Sequence, residues 1–420
     1  MWKWLACGNA GALPPRPHQG TSSPEPRRTA RRAVRQATFL PHFFQKVRGV
    51  RGSAPKKTPH ARIVWRGGAM LALLGVLALS AGGVRAQPDR PSALTQALDA
   101  HVAALSVAIG ARPAASAAEA RAAQYIAAQL RAWGYAVEFQ PFTYTLGEQT
   151  YTSRNVIARR AASAPNPDGR TLVIGAHMDS VTAGTGADDN ASGVAVMLAA
   201  AQALADVPSE YALVFVAFGA EEVGQRGSRH FVDALSEAER AQIVAMFNVD
   251  TVGAGDFAYV YAGAHTEHDD FRQPYTAGPD WVRELALARA ARLGVPMSTS
   301  PPTSWAGTTG TWSDHAPFVE AGVPVAYFER WNWDAGDDPN WGAERAEGGD
   351  VLHTARDRYE TVDVQKMAEV AQVLIATLET LARGLYVPPT QVRAFEIPNL
   401  AHPRLSGFHS LIYNKTMRLL

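Results

Sequence analysis

Three short stretches, TLVIGAHMD (171–179), YALVFVAFGA (211–220) and IVAMFNVD (243–250), are apolar at almost every position, and each then meets histidine, aspartate or paired glutamates. A strand that is apolar on one side only can face water on the other. One that is apolar on both must be covered on both, which is the pattern of a sheet buried between two layers of helices. Further strand-like runs are YAVEFQPFTY (135–144), SRNVIARR (153–160), FAYVYAG (257–263) and VPVAYFE (323–329). Apolar residues at helical spacing occupy 92–108, 116–135, 191–206, 228–235, 281–293 and 364–385; the second of these opens on a capping-box-like Ser116-Ala-Ala-Glu119 and closes on Gly134. The expected fold is α/β, a three-layer α/β/α sandwich with a mixed central sheet.

No internal repeat and no Pro/Gly/Ser linker divides this pattern, so one domain is expected over 87–386, with 387–420 as a tail that loses the periodicity. A chain of 420 residues with 47% hydrophobic content can bury a sizeable core, and a net charge of +1 offers no argument for nucleic acid. That balance conceals a segregation. Residues 1–69 carry fourteen Lys and Arg against the single acid Glu25, so the remainder is acidic. The basic segment has no helical or strand period and reads as disordered or as an over-extended start. Residues 70–86 read as a signal peptide: an apolar run of about ten residues, too short to span a bilayer with these flanks, has Arg62 and Arg66 upstream and Val-Arg-Ala ending at Ala86. The expectation is export to the periplasm or medium, a mature chain starting near Gln87, and no stable membrane span after cleavage; an uncleaved anchor is the rival. The only cysteine is Cys7, so a metal site in the mature chain must use histidine and carboxylates.

In an open α/β sheet the ligand crevice lies outside the carboxyl ends of the strands. The residues that end the apolar runs are therefore the candidates: His177 and Asp179, Glu221 and Glu222, and Asp250. His353 follows the 323–329 strand in HTARD, and Asp189 sits at the start of a predicted helix whose amides favour an anion. Singly, each has an ordinary explanation. A His-x-Asp is commonly a satisfied pair, Glu-Glu a solvated pair, and Asp188-Asp189-Asn190 a helix-capping cluster. Together, acids crowded at the ends of buried strands repel one another and cost several kcal/mol unless a cation neutralises them. The set fits a divalent metal centre.

The strings HMDS (177–180), GADDNASG (186–193), AFGAEEVGQRGS (217–228), FNVD (247–250), SDHAPF (313–318) and HTARD (353–357) occur in the order and at roughly the spacing of the co-catalytic double-zinc aminopeptidases, and the chain over 94–385 resembles that family of secreted bacterial leucyl-type enzymes and their relatives. The resemblance implies a zinc-exopeptidase-like fold and hydrolysis of the first peptide bond of peptides with a free N-terminus. It implies two zinc ions per chain, with cobalt or manganese as substitutes. His177 and Asp250 would hold one ion, Glu222 and His353 the other, and Asp189 would bridge them. Glu221 would be the general base, and Asp179 would orient the His177 ring.

The chemistry accounts for these residue types independently. Two zincs about 3.5–4 Å apart acidify a shared water and clamp the attacking and carbonyl oxygens, while a nearby glutamate passes the proton to the leaving amine. One departure is that some relatives place an oxyanion-assisting tyrosine near the last histidine, where this chain has Leu352. Asp314 and Asp357 are expected to support the site through hydrogen bonds. The insertion at 330–350, with three tryptophans and six acids, reads either as a pocket wall or as a surface loop folded on its own tryptophans. A single-zinc glutaminyl cyclase and a non-catalytic ectodomain such as that of the transferrin receptor share the fold and are the rival functions.

Overall fold

The computed structural model describes residues 92–265, 276–277, 279–299, 308–309, 311–335, 343–345 and 347–389; the expected basic segment and signal peptide lie outside these, as does the tail beyond 389. Ten strands form one sheet: β1 (Ala136–Leu146), β2 (Gln149–Arg160), β3 (Thr171–His177), β4 (Ala212–Phe218), β5 (Ile243–Val249), β6 (Phe257–His265), the two-residue strands β7 (Thr276–Ala277), β8 (Met297–Ser298) and β9 (Thr308–Thr309), and β10 (Val325–Trp331). The order is β1-β2-β4-β3-β5-β10-β6-β7, with β8 and β9 also on β6. Its centre, β4-β3-β5-β10, is parallel, and β2 and β6 join that centre antiparallel, so the sheet is mixed.

Both faces are covered, as the doubly apolar strands require. Along β4, Leu213, Phe215 and Ala217 join a core with α1 (Ala93–Val102), α2 (Ala117–Ala132), α3 (Gly193–Leu204), α6 (Trp281–Leu293) and α8 (Val364–Ala382). The alternate residues Val214, Val216 and Phe218 point the other way, onto Phe231 and Val232 of α4 (Arg226–Asp233) and Phe318 of α7 (Ala316–Glu320). Two short helices escape the periodicity. One is α7, which begins at Ala316 inside the SDHAPF string; the other is α5 (Glu237–Gln242), which opens on a complete Ser236–Glu239 capping box. At the start of α2 the box is only half made. Ser116 Oγ accepts from the Glu119 amide at 3.1 Å, but the Glu119 carboxylate turns inward to the Ala115 and Ala220 amides and the Ser153 hydroxyl. The first helical stretch passes at Ala103 from α-helix into a π-helical turn that ends at Ile109. Among the described residues no helix is long and apolar enough to cross a membrane.

Candidate metal centre

Because β4, β3 and β5 run parallel and adjacent, their carboxyl ends lie side by side. His177 is the last residue of β3, Asp250 follows β5, and Glu221 and Glu222 follow β4 by a short turn. Asp189 comes from the turn between β3 and α3. Here the chain departs from helical geometry, and α3 begins at Gly193 with Asn190 Oδ1 accepting the Gly193 amide at 2.9 Å. A side chain at Gly193 would meet Asn190 Oδ1 at 2.2 Å and the Val249 carbonyl at 2.3 Å, so only glycine lets this turn lie against the end of β5.

Two sets of ligand atoms converge on Asp189. On one side His177 Nε2 lies 3.1 Å from Asp189 Oδ1 and 3.3 Å from Asp250 Oδ1. On the other, His353 Nε2 lies 3.1 Å from Asp189 Oδ2 and 3.1 Å from Glu222 Oε2. The sequence-predicted ligands His177, Asp189, Glu222, Asp250 and His353 are thus brought together. Atoms of His177, Asp189 and Glu222 lie within 4.8 Å of one another. Asp250 Oδ2 accepts the Ser313 hydroxyl at 2.7 Å, and Ser313 in turn accepts from Asn248 Nδ2 at 2.8 Å. Glu222 Oε1 accepts the Val181 amide at 3.0 Å.

Asp179 sits behind both sides. Its Oδ1 stands 3.6 Å from His177 Nδ1, beyond hydrogen-bonding range, while its backbone carbonyl is nearer to that nitrogen at 3.2 Å. The carboxylate oxygens accept the amides of Glu221 at 3.0 Å and Glu222 at 3.1 Å, which fixes the backbone of the paired glutamates. Asp357 accepts the amides of Asp188 at 2.7 Å and Asp189 at 3.3 Å, tying the His353 loop to the bridging turn. Asp314 is fully buried, but neither of its carboxylate oxygens meets a hydrogen-bond donor among the described residues, so the expected support through hydrogen bonds is not seen.

Three supporting groups were not predicted from the sequence. Arg112, fully buried, donates to the carbonyls of Met178, Thr185 and Gly186, and so joins the end of β3 to the Asp189 turn. Nothing in the local pattern marks it, because the carbonyls through which it joins these two segments are backbone atoms far along the chain. Glu119 holds the amide of Ala220, just before Glu221, and its place in a capping pattern concealed that role. Ser313 was legible only as part of SDHAPF.

Electrostatics test whether a cation fits. Burial pushes the Glu222 carboxyl up to about 7, with the Asp189 charge adding to it and His353 opposing. Burial likewise drives Glu221 well above the usual carboxylate range, with Asp314, Glu222 and Asp250 adding to the rise. Burial disfavours charge on His353, yet Asp189 and Glu222 overcome it and raise the imidazole to about 11. Acids that are driven to hold protons beside imidazoles held as cations mark a site short of positive charge. Ligands 2.0–2.1 Å from a tetrahedral zinc stand roughly 3.3 Å apart along an edge, close to the separations seen here. The donor set of imidazole nitrogen and carboxylate oxygen therefore fits a divalent ion.

Aminopeptidase YwaD of Bacillus subtilis is 33% identical over 245 residues, 57% of this chain and 47% of that protein. Leupeptin-inactivating enzyme 1 of Streptomyces exfoliatus is 31% identical over 321 residues, 73% of this chain and 66% of that one. The chain thus spans less than two thirds of the length of either relative. The solved structure of a zinc aminopeptidase from Bacillus subtilis aligns with a TM-score of 0.56 at 21% identity, covering 69% of this chain and 95% of that one. A glutaminyl cyclase from Porphyromonas gingivalis aligns with a TM-score of 0.54 at 21% identity, covering 68% and 97%. At that identity the two structures speak for the fold alone. The family model for peptidase family M28 matches residues 155–378, which include every ligand candidate named above, and with more than half of the sequence under that match the chain belongs to peptidase family M28.

Proposed function

We propose that this chain is an exported zinc aminopeptidase that hydrolyses the first peptide bond of peptides or proteins with a free N-terminus, using two ions per chain. The observation that carries the reading is Asp189, whose two carboxylate oxygens each lie 3.1 Å from the Nε2 of a different histidine. A carboxylate so placed has the reach of a bridging ligand. His177, Asp189 and Asp250 would hold one ion, and His353, Asp189 and Glu222 the other; cobalt or manganese suits the same donors. When bound, such ions lower the pKa of a water and polarise the scissile carbonyl.

Glu221 belongs to neither set of converging atoms. Its backbone is anchored by Asp179, and burial raises its affinity for a proton. It takes the proton from the water as the oxygen attacks the carbonyl carbon, and delivers it to the amine nitrogen as the carbon–nitrogen bond breaks. The concentration of buried acids at the strand ends suits the free α-amine of the substrate and so favours terminal over internal bonds. Export is inferred from the signal-like 70–86 segment, and mass spectrometry of the mature N-terminus checks it; a start near Gln87 is expected.

The deciding experiment is metal content per chain together with hydrolysis of Leu-p-nitroanilide before and after chelation. Two ions and chelator-sensitive hydrolysis are expected. One ion, no hydrolysis and cyclisation of a Gln-initiated peptide would move the chain to the cyclase chemistry.

A further inference from the structure

We propose that Glu344, supplied by the 330–350 insertion, is a positioning residue that clamps the loop bearing His353 to the turn bearing Asp189, and so sets the affinity for the ion held between them. The proposal rests on the two-ion reading above. The excursion from β10 is closed by an antiparallel bridge between Asn332 and Ala343, which places Glu344 next in the chain, and its side chain is fully buried. Of the six acids in that insertion, Glu344 is the one buried among the described residues.

Each end of the carboxyl meets a segment that carries a ligand. One oxygen, Oε2, accepts the amides of Val351 and Leu352, the two residues before His353. The carboxyl also faces the charge of Asp188, the residue before Asp189, closely enough for that charge to act on it. Asp188 is itself fully buried, and its Oδ1 accepts the Gly253 amide at 2.6 Å. The remaining oxygens, Asp188 Oδ2 and Glu344 Oε1, receive no donor from any other described group. Two buried carboxyls that both lack a donor can be joined only through a proton carried by one of them. Burial first, and the Asp188 charge second, raise the proton affinity of Glu344. The clamp uses that shared proton on one side and the two loop amides on the other.

His353 needs such support. Its backbone lies at φ +56°, a left-handed conformation that a non-glycine residue holds only when its surroundings impose it. With Asp357 bonding the Asp188 and Asp189 amides, the two segments are clamped at two points. Asp357 belongs to the HTARD string, whereas Glu344 arrives from the insertion. The insertion is therefore part of the metal centre as well as its surroundings.

A carboxamide has the donor and acceptor arrangement of a protonated carboxyl, so Glu344→Gln preserves the clamp, while Glu344→Ala removes it and Glu344→Asp falls short of one partner. The test is stepwise titration of the metal-free full chain with Zn2+ by calorimetry, and with Co2+ by visible absorption, for the wild type and these variants, with thermal unfolding as the control for folding. Glu344→Ala should weaken one of the two ions by about 10–100-fold and alter its Co2+ spectrum, leaving the other unchanged, while Glu344→Gln stays within a few-fold of wild type. Should the alanine variant not fold, Glu344→Asp should show the same one-sided loss in smaller measure. Wild-type affinity for both ions in folded Ala or Asp variants overturns the clamp, and so does a Gln variant as weak as Ala. A wild-type chain that takes up no second ion overturns the two-ion reading, and the clamp with it.

Discussion

The two halves of the metal centre are built differently. The His177 half stands on the sheet: His177 ends β3, Asp250 follows β5, and the His177 side chain is 1% exposed. The His353 half draws its histidine from an irregular loop, and that side chain is 26% exposed. On the sheet side, parallel hydrogen bonding places the ligands, and side chains such as Ser313 make small adjustments. On the loop side, buried acids do the placing, because no regular backbone pairing is there to do it. A centre with one rigid half and one clamped half should respond unequally to the loss of a support, and it joins only at Asp189.

That junction gives the largest expected effect. Asp189→Ala removes a ligand from both halves, so both ions should weaken by at least about 100-fold and hydrolysis should become undetectable, as metal analysis and a Leu-p-nitroanilide assay would record. A variant that retains two tightly bound ions would end the bridging assignment. Glu221→Gln is the contrasting case, since it touches neither half. It should retain the full metal complement and the wild-type melting temperature while kcat falls by about 10²–10⁴-fold. Near-normal turnover in that variant would remove Glu221 from its role as base.

Metal removal sharpens the comparison directly. The more exposed His353 half should yield its ion first to a chelator, and the buried His177 half should yield the second more slowly. The expected course of metal release is two-phase. A single phase would mean that the difference in exposure has no kinetic consequence and that the halves open together.

The sheet half was legible in the sequence because β-strands are local: apolar runs of about seven residues announce themselves, and the acids and histidine at their ends stand out as ligand candidates. The loop half was legible only through its strings. His353 and Asp357 stand in HTARD, but Glu344 is one of six acids in the 330–350 stretch, and nothing local distinguishes an acid that turns inward from one that faces water. Arg112 and Glu119 were missed for a related reason. Their partners are the carbonyls of Met178 and Gly186 and the amide of Ala220, and contacts with distant backbone leave no pattern around the residue that makes them.

The same contrast orders the smaller effects. Asp357→Ala leaves the amides of Asp188 and Asp189 without their acceptor, and should weaken the His353-side ion by about 10–100-fold. Ser313→Ala is the matching cut on the sheet side. It removes one neutral donor from Asp250 Oδ2, whose other oxygen remains 3.3 Å from His177 Nε2, and Asp250 itself stays in register because its amide bonds the Phe328 carbonyl. A hydrogen bond of this kind contributes about 0.5–1.5 kcal/mol, so the His177-side ion should weaken by no more than about tenfold. Co2+ titration of the two variants side by side separates the halves by which absorption band moves. If Ser313→Ala proves as damaging as Asp357→Ala, the strand end does not hold Asp250 by itself, and the sheet half depends on side-chain support as much as the loop half does.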